Sequence, residues 1–227
     1  MKAILFDLDN TLYDYREYFY QVFLELSQYF HEKHQIPKKV FIDTSMDVLN
    51  KRKSRYPRLF NEILQILKIP EEEILHCINV FNKGEFRINP YTGVHKLLAE
   101  LKKRKYLVGI ITDGNPIRQG RKIKCLNIEN YLNIIVYTEI LGTPKPSSYP
   151  YLYTIEKLKI NPMISYYVGD DPYIDFLGAR HVGLKTIRIL KGEFSSNKGY
   201  GLATYEVNDL LEVLKVIEEN AKHEQKN

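Results

Sequence analysis

From residue 91 onward, short apolar runs alternate with helical patterns, and this alternation constrains the fold of the 227-residue chain more than any other feature. A short run of apolar, β-branched or aromatic residues is typical of a strand that is buried on both faces. Five such runs occur, at residues 3–6, 107–111, 134–137, 166–168 and 186–190. Strands that alternate with helices predict an α/β fold, a Rossmann-like parallel sheet with helices on both faces.

Apolar residues at helical spacing fill the intervals between the later strands. These patterns cover residues 91–104, 117–126, 149–158, 172–181 and 208–221. The stretch 15–86 differs, because it has no convincing strand pair and predicts a long aromatic-rich helix followed by shorter helices at 57–67 and 71–81. We therefore expect an all-helical cap over residues 15–86. The core would consist of residues 1–14 and 87–227.

The composition is that of a globular protein with a mild positive charge. Hydrophobic residues make up 44% of the chain and the net charge is +5, which suits an enzyme of anionic substrates but does not predict nucleic-acid binding. Two cysteines and six scattered histidines predict neither a disulfide framework nor a zinc site. No run approaches the roughly 18 apolar residues of a membrane span. We expect a cytoplasmic protein, a monomer or a homodimer, without membrane or nucleic-acid partners.

Polar residues follow three of the predicted strands, at the point where each strand ends. They are Asp7 and Asp9 after the first strand, Thr112 and Asp113 after the second, and Asp170, Asp171 and Asp175 after the fourth; Lys145 lies between the third and the fourth. Taken singly, an aspartate here is a turn or cap residue and a lysine is a solvated loop residue. The carboxyl ends of parallel strands meet at one edge of the sheet, however, so these side chains should converge.

The four converging carboxylates of Asp7, Asp9, Asp170 and Asp175 would repel one another unless a cation lies among them. Oxygen ligands suit Mg²⁺, which also accepts a substrate phosphate oxygen, and Lys145 would add a further positive charge. The sequence therefore predicts a site for a cation and a phosphate.

In this order, the residues resemble the four motifs of the haloacid dehalogenase superfamily, on its phosphatase side. Asp7-Leu8-Asp9-Asn10-Thr11 matches the first motif, Thr112 the second, Lys145-Pro146 the third, and Gly169-Asp170 with Asp175 the fourth. The resemblance spans nearly the whole chain, and the insert 15–86 resembles the helical cap of the family's first class. Dehalogenases lack an acid two residues after the nucleophile, so Asp9 favours phosphoryl transfer.

The resemblance implies that Asp7 is the nucleophile and a magnesium ligand. Asp9 would protonate the leaving oxygen and then activate water, and its main-chain carbonyl would touch the metal. An aspartate is ionised at neutral pH and needs no base to attack, whereas Asp9 must hold a proton at the right moment. Crowding among carboxylates can raise the pKa of Asp9 in this way.

The remaining motif residues are implied to hold the phosphoryl group or the metal. Thr112 and Lys145 would bind the phosphoryl group, Asp170 would bind magnesium, and Asp175 would support it through water. Asp113 is a substrate-binding candidate at a position where many relatives carry asparagine. Its charge would repel a phosphate, so Asp113 would point away or bind a residue of the cap.

The expected cap contains a basic run at residues 51–58. Arg55 and Arg58 are candidates for a second anion site in a dianionic substrate, and the alternative is a solvated basic helix end. For the whole chain we favour a phosphatase of a small metabolite, such as a sugar phosphate or nucleotide. A phosphomutase shares every residue named above, and a non-catalytic binding protein on the same scaffold is a third interpretation.

Overall fold

Six parallel strands form the sheet in the computed structural model, which describes residues 1–198 and 201–224. They are β1 (Ala3–Phe6), β2 (Leu107–Thr112), β3 (Ile134–Tyr137), β4 (Tyr166–Gly169), β5 (Lys185–Ile189) and β6 (Tyr205–Val207). Each neighbouring pair is parallel, in the order β3-β2-β1-β4-β5-β6. The predicted α/β class is confirmed.

The strand order creates a crevice beside β1. The chain runs outward from β1 through β2 and β3, and then returns to the other side of β1 for β4, β5 and β6. Such a reversal opens the sheet at the carboxyl ends of its two central strands. Phe6 pairs with Val168, and the amide of Asp7 donates to the Val168 carbonyl at 2.8 Å. The residues that follow β1 and β4 therefore begin at the same level.

One group of helices surrounds this sheet, and a second group forms the inserted segment. Within the described residues they are α1 (Tyr15–His34), α2 (Lys38–Arg52), α3 (Leu59–Ile66), α4 (Ile74–Lys83), α5 (Val94–Lys103), α6 (Pro116–Cys125), α7 (Thr138–Leu141), α8 (Tyr149–Leu158), α9 (Phe176–His181) and α10 (Glu212–Glu224). None of the helices in these ranges is long and apolar enough to cross a membrane.

The sheet is buried on both faces, as the apolar strands predict. On one face Leu5 and Tyr167 pack with Tyr151 of α8 and Phe176 of α9. Ile4 and its alternate neighbours point to the opposite face because successive side chains alternate along a strand. Helix α5 contacts β2, and Arg104, directly after α5, forms an ion pair of 2.6 Å with Glu218 of α10.

The inserted segment, residues 15–88, is a separate helical unit, and the other unit comprises residues 1–14 and 89–227 as far as they are described. The expected boundary after Phe86 lies two residues before the one in the structure. Inside the insert, Phe19 packs against Phe81 at 5.4 Å and Phe30 against Phe41 at 5.1 Å, measured between ring centroids. The aromatic stripe of α1 is therefore a packing surface between helices of this unit.

Several elements differ from the sequence prediction. Helices α2 and α7 and strand β6 were not predicted, and α9 begins at Phe176 instead of residue 172. The delay has a local cause: the Asp171 side chain accepts a hydrogen bond from the Tyr173 amide, and its carbonyl accepts one from the Asp175 amide. A carboxylate that bonds the backbone two residues later makes a turn, which postpones the helix.

Candidate active site

Asp7 lies directly beyond β1 with a side chain that is 10% exposed. One carboxylate oxygen, Oδ1, is 2.5 Å from the Lys145 Nζ. The pKa of Asp7 is raised from 3.8 to about 7, because burial and the neighbouring charges of Asp175 and Asp9 raise it more than the Lys145 charge lowers it. Asp7 is therefore a buried carboxylate that depends on positive charge to remain ionised.

Asp170, at the end of β4, completes an acidic cluster with Asp7 and Asp175. One oxygen from each of the three side chains lies within 4.8 Å of the others. Burial, followed by the charges of Asp175 and Asp7, raises the pKa of Asp170 well above its usual value. Its Oδ2 is buried and has no hydrogen-bond partner among the described residues. An orphaned carboxylate oxygen beside two other acids fits a divalent cation, because buried acceptors are otherwise satisfied.

Asp175 is held firmly by protein groups. Its Oδ1 accepts hydrogen bonds from Lys145 at 2.7 Å and from the Tyr167 hydroxyl at 3.1 Å, and its Oδ2 accepts from the Asp171 amide at 2.9 Å. Gly169 provides the space, since a Cβ at that position would overlap the Asp175 carboxylate. With both oxygens engaged, Asp175 is better suited to supporting a metal through water than to direct ligation.

Lys145 lies at the centre of the cluster and is 5% exposed. Besides Asp7 and Asp175 it contacts the Tyr167 hydroxyl at 3.2 Å. Burial opposes its charge, but Asp175 and Asp7 outweigh burial and raise the pKa of Lys145 well above its usual value. Lys145 is therefore a permanent positive charge beside Asp7.

Thr112 ends β2 and Asp113 follows it directly, and the two side chains have different surroundings. The Thr112 hydroxyl oxygen is 2.6 Å from Gln119 Nε2 of α6. The Asp113 Oδ1 accepts from the Thr138 hydroxyl at 2.6 Å and from the Lys145 amide at 3.2 Å. These bonds favour a role for Asp113 in fixing the Lys145 segment and not in contacting substrate.

Asp9 is surrounded by hydrogen-bond donors. Lys122 Nζ lies 2.7 Å from its Oδ1, the Tyr13 hydroxyl donates to the same oxygen, and Gln119 Nε2 lies 2.9 Å from its Oδ2. Burial alone would raise the pKa of Asp9, but the Lys122 charge and these hydrogen bonds outweigh it and lower that pKa. The expectation that crowding raises the pKa is wrong for this conformation, because donors and not acids surround the carboxylate.

The structure thus brings Asp7, Lys145, Asp170 and Asp175 into direct contact or close range. Arg55 and Arg58 are exposed residues between α2 and α3 in the inserted unit, and their role in substrate binding stays a prediction. The sequence prediction did not include Gln119, Lys122 or Tyr167. Only for Tyr167 was there a signal, since Tyr166 and Tyr167 bring hydroxyl groups into an otherwise apolar strand.

Comparisons with known proteins agree with this geometry. Residues 4–189 match the family described as haloacid dehalogenase-like hydrolase. A glyceraldehyde 3-phosphate phosphatase of Methanocaldococcus jannaschii is 30% identical, with 96% of this chain and 97% of the relative covered. A putative pyrophosphatase of Clostridium perfringens is 26% identical over 96% of this chain and 98% of its own. The crystal structure of a phosphatase from Thermococcus onnurineus has 25% identity and a TM-score of 0.67, with 96% and 98% covered. The chain therefore belongs to the haloacid dehalogenase-like hydrolase family, as a phosphatase-type member.

Proposed function

We propose that the protein is a magnesium-dependent phosphatase that hydrolyses a small phosphate monoester through a phosphoaspartate on Asp7. The contact between the Asp7 carboxylate and the Lys145 ammonium, at 2.5 Å beside two further buried acids, carries this proposal. A carboxylate nucleophile needs charge neutralisation to approach an anionic phosphoryl group, and Lys145 supplies it.

In the first step, an Asp7 oxygen would attack phosphorus while the bond from phosphorus to the substrate oxygen breaks. The leaving oxygen would take a proton from Asp9. Lys145 and the Thr112 hydroxyl would stabilise the transferring phosphoryl group, which is how enzymes of this chemistry lower the barrier. Asp9 is an anion in the free protein, and the negative charge of a bound phosphate would raise its pKa towards the protonated form.

In the second step, water would attack the phosphorus of phosphoaspartate and give its proton to Asp9. The bond from phosphorus to Asp7 would break and release inorganic phosphate. The donors around Asp9 keep it ionised, which suits a general base. Asp7, Asp170 and the Asp9 main-chain carbonyl would hold Mg²⁺, with Asp175 in support, and the ion would neutralise charge on the phosphoryl oxygens.

The relatives name the first substrates to test. Glyceraldehyde 3-phosphate comes first because it is the substrate named for the Methanocaldococcus relative, and pyrophosphate follows from the Clostridium relative. A phosphomutase would use the same nucleophile, but it would need an activating bisphosphate and would return the phosphoryl group to a substrate. Release of inorganic phosphate without a bisphosphate distinguishes the two activities.

The test is phosphate release from a panel of phosphorylated metabolites, including both candidates, with Mg²⁺ or with EDTA. Asp7→Asn should lower turnover by roughly a thousandfold or more, because the amide is a poor nucleophile and metal ligand. Asp43→Asn, at an exposed position of α2, is the matched control. Turnover that survives chelation, or an Asp7→Asn variant within tenfold of wild type, would overturn the mechanism.

A further inference from the structure

Two residues of α6, Gln119 and Lys122, are polar but completely buried. They lie three positions apart, so both project from the same face of the helix. Burial of a lysine and an amide in a small domain is costly unless hydrogen bonds compensate for it. Both side chains converge on Asp9, at 2.7 Å from Lys122 Nζ and 2.9 Å from Gln119 Nε2.

The two contacts fix different oxygens of the same carboxylate. Lys122 takes Oδ1, to which the Tyr13 hydroxyl also donates, and Gln119 takes Oδ2. Donors on both oxygens restrict rotation of the carboxylate about its terminal bond, which is otherwise a soft torsion. The Asp9 side chain remains 24% exposed, so the donors hold it on the protein side and leave part of it accessible.

Gln119 also joins Asp9 to Thr112. The carboxylate can only accept, so the amide nitrogen must face it, and the same nitrogen lies 2.6 Å from the Thr112 hydroxyl oxygen. The hydroxyl oxygen is thus an acceptor towards Gln119, and its hydrogen must point elsewhere. Its other contact, to the Asp113 carbonyl at 3.5 Å, is at the limit of a hydrogen bond. The hydrogen is thereby available to a phosphoryl oxygen.

Stability alone does not explain Gln119. Its Oε1 is buried and has no hydrogen-bond partner among the described residues, a cost that an apolar residue would avoid. We propose that Gln119 and Lys122 are positioning residues that set the orientation of the Asp9 carboxylate for proton transfer. This inference rests on the proposed phosphatase function.

The test compares Gln119→Leu and Lys122→Met with wild type on glyceraldehyde 3-phosphate and nitrophenyl phosphate. The ratio kcat/KM reports steps up to departure of the leaving group. An alkyl leaving group needs the proton from Asp9, whereas nitrophenolate needs little. We expect kcat/KM to fall about tenfold or more for the alkyl phosphate and less than about threefold for the aryl phosphate, within the roughly 10²–10⁴ that acid–base catalysis contributes.

A second arm places each substitution in an Asp9→Asn background. If the two residues act through Asp9, both substitutions should then change kcat/KM by less than about twofold, because contacting residues couple in such cycles. Lys124→Met removes the same charge from an exposed position of α6 and should leave both substrates unaffected. Should Lys122→Met fail to fold, Gln119→Leu, which exchanges one neutral side chain for another, carries the test alone.

Equal losses on the two substrates, or losses that persist in the Asp9→Asn background, would overturn the positioning role. Wild-type kinetics in Gln119→Leu and Lys122→Met, with Asp9→Asn impaired, would overturn it while leaving the proposed function intact. A wild-type protein that releases phosphate from neither substrate would overturn both.

Discussion

Tyr167 lies between Lys145 and Asp175. Its buried hydroxyl accepts from Lys145 at 3.2 Å and donates to Asp175 at 3.1 Å. Burial raises the pKa of Tyr167 well above its usual value, so the phenol keeps its proton and remains a donor. The ring packs edge-on against Tyr151 at 5.0 Å between centroids, which fixes the hydroxyl in place.

Replacing Tyr167 with phenylalanine should therefore loosen Lys145 without removing it. We expect a loss of about 1 kcal/mol in the free energy of unfolding, the net value of a typical hydrogen bond. We also expect kcat to fall by up to about tenfold because the ammonium is less well oriented. Urea denaturation and steady-state kinetics measure the two effects, with Tyr149→Phe at an exposed site as the control. Unchanged stability and kcat would show that the hydroxyl does not position Lys145.

The site residues that could be identified from the sequence are those that come directly after a predicted strand. Asp7 and Asp170 each follow an apolar run, so the rule that strand ends converge locates them. Gln119 and Lys122 could not be found in this way. On an amphipathic helix polar residues usually face solvent, and nothing local indicates that this polar face meets Asp9, more than 100 positions earlier.

Helix α6 carries both positioning residues, and its start is set by Asn115. The Asn115 side chain accepts hydrogen bonds from the amides of Ile117 and Arg118, and Pro116 occupies the first helical position. This N-cap satisfies amides that have no partner inside the helix. The cap therefore fixes where α6 begins and, through it, the register of Gln119 and Lys122 relative to Asp9.

Removing this cap with Asn115→Ala should lower the free energy of unfolding by about 0.5–2 kcal/mol. Asn115→Asp keeps an acceptor at the cap and should lose much less, which makes it the matched control. Chemical denaturation provides the measurement. If the alanine and aspartate variants are equally stable, the side-chain cap does not contribute.

Elements that are short, or that lack a regular apolar pattern, were not predicted from the sequence. Strand β6 has three residues and, among the described residues, pairs only with β5, in a register that joins Ile189 to Val207. Helix α2 carries only scattered apolar residues, and its helical state depends on packing against α1, as between Phe41 and Phe30. In both cases tertiary contacts determine the secondary structure, which the local sequence pattern does not predict.

The segment between α2 and α3 holds the basic residues Arg55 and Arg58, both exposed. If they bind a remote anionic group of the substrate, Arg55→Ala and Arg58→Ala should raise KM tenfold or more for a metabolite that carries a second anionic group besides the reacting phosphate. A charge-assisted hydrogen bond is worth roughly 1.5–3 kcal/mol, and nitrophenyl phosphate has no second anion to lose. Lys39→Ala, at the other end of α2, is the control. A response below twofold on both substrates would identify a solvated basic surface.

For the whole molecule, the buried acids couple stability to pH and to magnesium. Burial raises the pKa of Asp7 to about 7 and that of Asp170 well above its usual value. The folded state therefore holds protons that the unfolded chain releases near pH 4. The stability linked to these protons is fully present below that pH and is lost as pH rises through the folded pKa values. The metal-free protein should thus become less stable between pH 5 and pH 8.

Magnesium should reverse this trend, because a cation among the acids stabilises their ionised forms. In thermal unfolding with EDTA, we expect the midpoint temperature to decrease as the pH is raised from 5 to 8. With Mg²⁺ at the same ionic strength the decline should shrink, so that the stabilisation by the metal grows with pH. Asp7→Asn should flatten the EDTA curve because one of the raised groups no longer titrates. Glu73, with a pKa of about 2, and Lys122, with a pKa of about 8, titrate at or beyond the ends of this range. Equal stabilisation by Mg²⁺ at pH 5 and pH 8 would mean that the ion does not bind at these carboxylates.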